Sequence, residues 1–401
     1  MAEAAETQRP NLLVFADDWG RHPSSCQHLI RNLLDRYEVY WVNTIGTRRP
    51  RFNLFTLQRA LGKFRQWLRP PAVTRLPAGL HIVNPPMWPW IRSRFDRFLN
   101  RRLLARTLLP LVRSLSTPCF AVTTIPIVVD LVDVLPVQRW VYYCVDDYGQ
   151  WPGLDQVALQ RMETHLIQGM DKLVAVSDTL RDKLLRTGRT VSLVTHGVDL
   201  DSWAGESARK TLPELDSLER PLIAFWGVAD RRMDMSFVTR LAADLHRGTI
   251  VFVGPQCECS PMLKKTARVV CLGPVDYEML PQVAREAAVL IMPYADVPVT
   301  QAMQPLKLKE YLATGKPAVV RDLPATREWR DCLDLAATPE AFSEAVRLRL
   351  TTGLPAEQRR ARGRLRSESW ATKARLFERA ALASEVPRPR REASAEDLAV
   401  T

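Results

Sequence analysis

The sequence predicts an α/β protein built from two doubly wound parallel sheets, one in each half of the chain. Short apolar runs alternate with helical patterns in both halves, which is typical of βαβ units. The strands of the second half end at glycine or proline, and 401 residues are enough for two domains of ordinary size. Because ligands bind outside the carboxyl ends of parallel strands, we expect a site in a central cleft that the two domains face.

Apolar runs in the first half predict seven strands and two clear helices. The strands are predicted at residues 11–16, 38–42, 80–83, 119–123, 140–145, 173–176 and 191–194. Helical patterns cover residues 24–35 and 92–115, and Pro110 predicts a break in the second of them. The polar stretch 199–220 is predicted to be a linker.

The second half repeats the alternation, and the chain ends in a polar tail. Its strands are predicted at residues 222–226, 249–253, 269–272, 289–292 and 318–320, with a helix at 341–350. A last helix, capped by Ser367 or Ser369, is expected to run to residue 382 and to pack back on the first domain. We therefore predict domains at 10–200 and 201–368, and a disordered tail at 386–401.

Composition indicates a soluble globular protein of the cytoplasm. Hydrophobic residues make up 46% of the chain and charged residues 25%, and no run of 18 apolar residues occurs. The N-terminal residues are polar and lack the apolar core of a secretory signal. Seven scattered cysteines favour ordinary reduced thiols, and we predict no metal site.

The net charge of +12 is concentrated in one region. Residues 48–113 contain 15 lysines and arginines and a single acid, Asp96. Within this region, residues 57–68 have the pattern of a basic amphipathic helix that includes Phe64 and Trp67. Two interpretations remain open: a surface on anionic lipid at the inner face of the membrane, or a core-facing helix with a solvated basic face. No recognition motif accompanies the charge, so we expect no nucleic-acid partner.

The most informative motif is the stretch 304–317, QPLKLKEYLATGKP, which precedes a buried strand. It places Lys307 at the start of a short helix and Glu310 one turn further on, and a helix N-terminus favours anions. The stretch resembles the nucleotide-sugar end of GT-B glycosyltransferases of the family-4 type (glycosyl transferases group 1), which build bacterial surface polysaccharide. The resemblance implies a GT-B fold with two Rossmann-like domains. It also implies that Glu310 holds the ribose hydroxyls of a nucleotide sugar.

The resemblance implies further donor-side residues. The second glutamate of the family pattern is replaced by Ala302, so Thr300, Gln301 or Gln304 is expected to meet the sugar or its phosphates. Gly227 ends a strand and allows close approach of a ligand, and Arg231 or Arg232 beside it can neutralise phosphate. Gly273 and Tyr277 follow another strand and are expected at the nucleotide base; a plain helix cap with Asp276 as the capping residue is the alternative.

The acceptor side is predicted at the carboxyl ends of two strands in the first half. Asp146 and Asp147 are adjacent carboxylates there, and each raises the pKa of the other if both lie in a cleft. We expect one of them, Asp146 first, to take the proton of an acceptor hydroxyl; a turn or a helix cap is the alternative. The loop after the first strand contributes cleft candidates of the same kind. These are Asp17, Asp18, Gly20 and His22.

His196 is the last catalytic candidate. The segment His196-Gly197-Val198-Asp199 resembles the Asn-Gly-Val-Asp hinge of family-4 glycosyltransferases, with histidine in the place of asparagine. Two interpretations of His196 remain equally open: it contacts the sugar, or it is a buried histidine between the domains. The pair Asp199 and Asp201 resembles a metal-binding Asp-x-Asp, but its position after a strand and a glycine favours a helix cap.

Taken together, the sequence predicts a glycosyltransferase of the hexosyltransferase type. We expect it to move a sugar from a UDP- or GDP-sugar, with no required cofactor, to a glycan or lipid-linked acceptor. A sugar-nucleotide epimerase of the same fold and a non-catalytic nucleotide-binding module are the alternatives.

Overall fold

The structure is a computed structural model that describes residues 9–20, 24–44, 76–151, 153–204 and 212–383. The chain divides into two compact units. The first consists of Met1–Val194 together with Ala374–Thr401, and the second is Thr195–Lys373. The predicted basic helix at 57–68, the predicted disordered tail and His22 lie outside the described residues.

The first unit contains a seven-stranded parallel sheet in the order β3-β2-β1-β4-β5-β6-β7. Strands β1, β4 and β5 are buried along their whole length, as expected for a sheet covered on both faces. The strands are β1 (Asn11–Ala16), β2 (Glu38–Asn43), β3 (Leu80–Val83), β4 (Cys119–Thr123), β5 (Arg139–Cys144), β6 (Lys172–Ala175) and β7 (Val191–Leu193). The helices are α1 (Ser25–Arg31), α2 (Arg94–Ser114), α3 (Gln156–Gly169) and α4 (Asp178–Leu185).

The predicted break at Pro110 is wrong, because α2 continues through this residue to Ser114. A proline removes one backbone hydrogen bond of a helix and favours a kink. Here Leu104, Leu108 and Val112 lie on one stripe and are all buried, so packing on both sides of Pro110 holds the helix together.

The second unit contains a six-stranded parallel sheet in the order β10-β9-β8-β11-β12-β13. The strands are β8 (Leu222–Trp226), β9 (Thr249–Val253), β10 (Val269–Leu272), β11 (Ala287–Met292), β12 (Ala318–Arg321) and β13 (Asp334–Ala336). The helices are α5 (Leu200–Ala204), α6 (Pro213–Asp216), α7 (Met235–Asp244), α8 (Met262–Lys265), α9 (Leu280–Glu286), α10 (Pro298–Ala302), α11 (Leu306–Ala313), α12 (Pro324–Arg327), α13 (Pro339–Thr352) and α14 (Ala356–Ala361).

Two features of the second unit differ from the sequence prediction. Strand β13 was not predicted, because it has three residues and begins with Asp334, whose carboxylate is bound by Arg349 at 2.6 and 2.7 Å. The stretch predicted as a linker contains the helices α5 and α6. Helix α5 forms because Trp203 packs in the core of the unit.

The last helix, α15 (Trp370–Phe377), follows Ser369 and continues as a wider turn, Glu378–Leu382. The Ser369 hydroxyl accepts a hydrogen bond from the Thr372 backbone N–H at 3.2 Å, so Ser369 caps the helix. From Ala374 onward the chain belongs to the first unit, where the Phe377 ring packs against Tyr143 at 5.3 Å. Each unit is therefore a parallel α/β sheet with its own core, and the predicted α/β fold class is confirmed.

Candidate functional site

The Glu310 carboxylate lies at the centre of a polar cluster in the second unit. It is 8% exposed, on α11. One carboxylate oxygen accepts a hydrogen bond from the Tyr277 hydroxyl at 2.8 Å, and the other accepts one from the Trp226 indole N–H at 3.0 Å. Burial raises the pKa of Glu310, although both hydrogen bonds and the nearby Lys307 oppose the shift. Each carboxylate oxygen can accept a further hydrogen bond, so the Glu310 carboxylate can still bind two hydroxyl groups.

Aromatic packing holds the two donors of Glu310 in place. Trp203 stacks on Trp226 with ring centroids 5.1 Å apart and an angle of 8°. Its indole N–H donates to the Tyr277 hydroxyl at 3.3 Å. The Tyr311 ring also packs against Trp226 in a T-shaped arrangement, with ring centroids 4.4 Å apart. The carboxylate is therefore oriented before any ligand binds.

Two cations lie next to Tyr294 in the same unit. Lys307, in the first turn of α11, donates to the Tyr294 hydroxyl and lies 4.4 Å from the centre of the Phe225 ring. The Arg232 guanidinium lies 5.6 Å from the centre of the Tyr294 ring, and its Nε and Nη2 each donate to Asp230 at 2.9 Å. An ammonium, a guanidinium and a helix start gathered in this way can hold an anion.

Gly227 makes the close approach of Lys307 possible. Its φ of +115° is one that side chains rarely adopt, and a Cβ there would lie 2.6 Å from Lys307 Nζ. Gly254, at the end of β9, has a φ of +133° and would place a Cβ 2.4 Å from the Gly227 carbonyl oxygen. The ends of β8 and β9 therefore need glycine for the cation to reach this position.

Replacing Gly227 by alanine should displace Lys307 and strain the backbone. We expect a lower urea midpoint, corresponding to about 1–3 kcal/mol, and weaker binding of UDP by calorimetry. Gly363→Ala is the matched control, because a Cβ at Gly363 meets no atom within 4 Å. Equal midpoints and equal UDP affinities for the two variants would contradict the role given to Gly227.

The surroundings of the remaining donor-side candidates differ from one residue to the next. Arg231 is exposed and lies 3.4 Å from Glu258, so the structure brings Arg232 rather than Arg231 towards Lys307. Gly273 follows β10, and a Cβ there would meet open space. Gln304 is buried just before α11, and its side-chain nitrogen has no hydrogen-bond partner in the described part of the chain. Thr300 is fully buried and bonds to backbone carbonyls of its own turn.

His196 is buried in the second unit beside a cluster of charges. It is 5% exposed, and its ring lies 6.1 Å from that of Trp370. Its carbonyl oxygen accepts a hydrogen bond from Lys309 at 2.5 Å, and Lys309 also forms an ion pair with Glu368. Burial and the neighbouring Lys373 lower the pKa of Lys309 to about 8. These contacts hold the His196 segment in place within its unit.

In the first unit, two of the predicted carboxylates approach one buried tyrosine. Asp17 follows β1 and Asp146 follows β5, and both interact electrostatically with Tyr148. Burial, and then these two carboxylates, raise the pKa of Tyr148 well above its ordinary value. Gln27 holds the first loop, because its amide donates to the Asp18 carbonyl at 3.3 Å and its oxygen accepts from the Gly20 N–H at 3.2 Å.

Asp147 belongs to a separate ion-pair cluster beneath the same loop. Lys183 Nζ lies 2.9 Å from Asp147 and 2.6 Å from Glu163. Glu163 is buried and also accepts a hydrogen bond from the Tyr142 hydroxyl at 2.8 Å. Burial opposes the charged form of Lys183, but the two carboxylates outweigh it and raise its pKa. Asp147 is thus bound by an internal cation.

Replacing Lys183 by methionine should destabilise the first unit by about 3–5 kcal/mol, because Glu163 is left as a buried charge without its cation. Urea denaturation of the full chain measures the loss. Arg186→Met is the matched control at the exposed C-terminal cap of the same helix. The double variant Lys183→Met, Glu163→Gln should recover part of the loss. A midpoint unchanged from wild type would contradict the account of this cluster.

Several residues of the two clusters were not predicted from sequence. Glu163 falls on the apolar stripe of α3 with Leu159, Met162 and Leu166, and a charge on such a stripe indicates a buried partner. Tyr294 directly follows the Pro293 that ends β11, at a strand end where ligand contacts occur. Trp203 gave no signal, because it lies in the stretch that reads as a linker.

In the described ranges, no group of three histidine, cysteine or acidic side chains is arranged to hold a metal ion. The helices of those ranges also include none with the length and apolar character needed to cross a bilayer.

Two Rossmann-like units, each with a parallel sheet, define a GT-B fold. Residues 220–351 match the model of the family described as glycosyl transferases group 1. The predicted resemblance to family-4-type GT-B proteins is therefore confirmed.

The relatives of this chain agree with that assignment. TuaH of Bacillus subtilis (strain 168), assigned as a glycosyltransferase of teichuronic acid biosynthesis, is 32% identical over 179 residues. The match covers 42% of this chain and 44% of TuaH, so it spans less than half of that protein.

Solved structures share the fold at low sequence identity. Sucrose-phosphate synthase from Thermosynechococcus elongatus has a TM-score of 0.67 at 15% identity, over 92% of this chain and 98% of its own. Anabaena Alr3699/HepE, solved in complex with UDP and glucose, has a TM-score of 0.62 at 11% identity, over 92% and 99%.

Proposed function

We propose that this protein is a hexosyltransferase that moves a sugar from a nucleotide diphosphate sugar to an acceptor hydroxyl. The observation that carries the proposal is the Glu310 carboxylate, which Trp226 and Tyr277 orient one turn after Lys307. A carboxylate with acceptor capacity on both oxygens suits the two hydroxyls of a ribose. Its place within the segment that matches glycosyl transferases group 1 supports the same role.

The diphosphate is proposed to lie at Lys307, Arg232 and the start of α11. Cations and a helix N-terminus stabilise the charge that develops on a departing nucleoside diphosphate. Gln304, Gly227, Gly273, Arg231 and Tyr277 remain proposed donor contacts. UDP is the favoured nucleotide, because the similar fold of HepE was solved with UDP and glucose; GDP is the second candidate. In this scheme the protein's own cations meet the diphosphate charge, so the reaction requires no cofactor.

The acceptor hydroxyl is proposed to lose its proton to Asp146. A carboxylate placed within hydrogen-bond reach of the attacking hydroxyl acts as a general base. Asp17, Asp18, Gly20 and His22 are proposed to form the rest of the acceptor side. Asp147 and His196 were the other catalytic candidates, and we propose that they hold the framework of the site.

The acceptor is proposed to be a glycan or a lipid-linked glycan of the cell surface. The similarity to TuaH supports polysaccharide synthesis. The excess of basic residues in 48–113 supports a cytoplasmic location at the inner face of the membrane.

Incubation of the full chain with UDP-, GDP- and ADP-sugars tests the proposal. Release of free nucleotide that rises when a glycan acceptor is added is the expected result. A changed sugar without nucleotide release indicates an epimerase instead. Tight binding with no turnover for any donor and acceptor pair indicates a binding module, and either outcome rejects the proposed transfer.

A further inference from the structure

Helix α2 exposes large aromatic side chains on one face. Phe95 is 65% exposed and Phe98 43%, and Trp90, shortly before the helix, is 37% exposed. Residues three apart on a helix are neighbours on its surface, so the two phenylalanines form one patch. Single exposed apolar residues are common on protein surfaces, whereas a contiguous exposed apolar patch rimmed by polar residues marks an interaction surface.

Arginines share this face with the aromatic residues. Arg94, Phe98, Arg102 and Arg106 recur every fourth residue and therefore lie along one ridge, beside Phe95. All three arginines are exposed. In the part of the chain that the structure describes, none of them forms an ion pair with a carboxylate.

The acids near the helix do not neutralise this ridge. Asp96 accepts hydrogen bonds from the Trp88 indole N–H at 2.9 Å and from the Ser93 backbone N–H at 2.8 Å. Asp130 is bound by Arg97 through its Nε at 2.9 Å and its Nη2 at 2.5 Å. Arg97 neutralises Asp130, and in the described ranges Asp96 forms no ion pair with Arg94, Arg102 or Arg106. Three arginines therefore outweigh the single charge of Asp96, and the exposed face stays positive.

We propose that this face, defined by Trp90, Arg94, Phe95, Phe98, Arg102 and Arg106, docks on the surface of an anionic lipid bilayer. The proposal names the residues that would carry the peripheral location proposed above and does not depend on the transfer chemistry. Arginine binds lipid phosphates through its planar fork of N–H groups. Phenylalanine and tryptophan enter the boundary between headgroups and acyl chains, where apolar rings leave water.

Charge and aromatic character together favour lipid over a soluble polyanion. An acidic glycan or a nucleic-acid duplex would satisfy the arginines but has no apolar phase to receive Phe95. A bilayer offers anionic phosphates and an apolar interior within a few ångströms of each other, matching the mixed character of the ridge.

Vesicle flotation of the full chain tests the proposal. We expect the protein to float with vesicles of phosphatidylcholine and phosphatidylglycerol, and to stay unbound with phosphatidylcholine alone. Phe95→Ser with Phe98→Ser, and Arg102→Gln with Arg106→Gln, should each lower the bound fraction on the order of tenfold. Added salt should weaken binding of the wild type more than that of the arginine variant, because screening acts on the charges that the variant lacks.

Matched control variants lie on exposed positions of the second unit. Met262→Ser with Leu348→Ser, and Arg359→Gln with Arg360→Gln, should float as the wild type does. Equal recovery with both vesicle types, or wild-type flotation of both face variants, would overturn the proposal. The proposal would also be overturned if the wild type bound soluble heparin and the phenylalanine variant lost heparin binding to the same degree as it lost vesicle binding. UDP affinity of the same variants shows separately whether the donor site is intact.

Discussion

Replacing Asp146 by asparagine should lower the turnover number by about 10²–10⁴-fold while UDP affinity changes little. The amide keeps the shape of the side chain but cannot take a proton from the acceptor hydroxyl. Asp146 follows β5 at the carboxyl edge of its sheet and lies close enough to Tyr148 to affect its pKa. Steady-state transfer with a saturating donor, together with calorimetry of UDP, measures the two quantities separately.

Asp133→Asn is the control for this variant, because Asp133 is an exposed acid of the same unit. It should transfer sugar at the wild-type rate. Full activity of Asp146→Asn would remove Asp146 from the chemistry. The same replacement at Asp147 would then be the next test, although Lys183 binds that carboxylate.

Replacing Glu310 by glutamine should weaken the binding of UDP and UDP-sugars by about 10–100-fold. Hydrogen bonds to a charged group contribute about 1.5–3 kcal/mol, and 1.4 kcal/mol corresponds to a factor of ten. Glutamine preserves the volume of the side chain but offers one acceptor oxygen in place of two. One of the donors from Trp226 and Tyr277, or one ribose hydroxyl, therefore loses its partner.

Calorimetry with UDP and with inorganic pyrophosphate distinguishes this effect from general damage. Glu310→Gln should lose affinity for UDP and keep its weak affinity for pyrophosphate, since Lys307 and Arg232 remain. Glu344→Gln, an exposed replacement of the same kind on α13, is the control. Wild-type UDP affinity in Glu310→Gln would show that Glu310 does not contact the nucleoside.

The donor half of the site was predictable because its signal is local in sequence. A helix start, a lysine and a glutamate one turn later all lie within 304–317. The surroundings of Glu310 were not predictable, since its two hydrogen-bond donors lie 84 and 33 positions away along the chain. Only the order of strands in the sheet brings Trp226 and Tyr277 to the same carboxylate.

The acceptor half was less predictable for a related reason. Adjacent aspartates after β5 look equivalent in sequence, yet Lys183 from α4 binds Asp147 and also pairs with Glu163 from α3. Most strand positions followed from apolar runs, whereas β13 lacked such a run and Pro110 did not end α2. Packing decided these cases, and packing is set by residues distant in the chain.

A crystal structure of the full chain with a bound nucleotide sugar would show whether Glu310 holds the ribose and Lys307 the diphosphate. We expect the ribose hydroxyls to lie within about 2.6–3.2 Å of the Glu310 carboxylate oxygens, and the diphosphate to contact Lys307 at the start of α11. A ribose that contacts no atom of Glu310, or a diphosphate bound away from Lys307, would contradict this expectation.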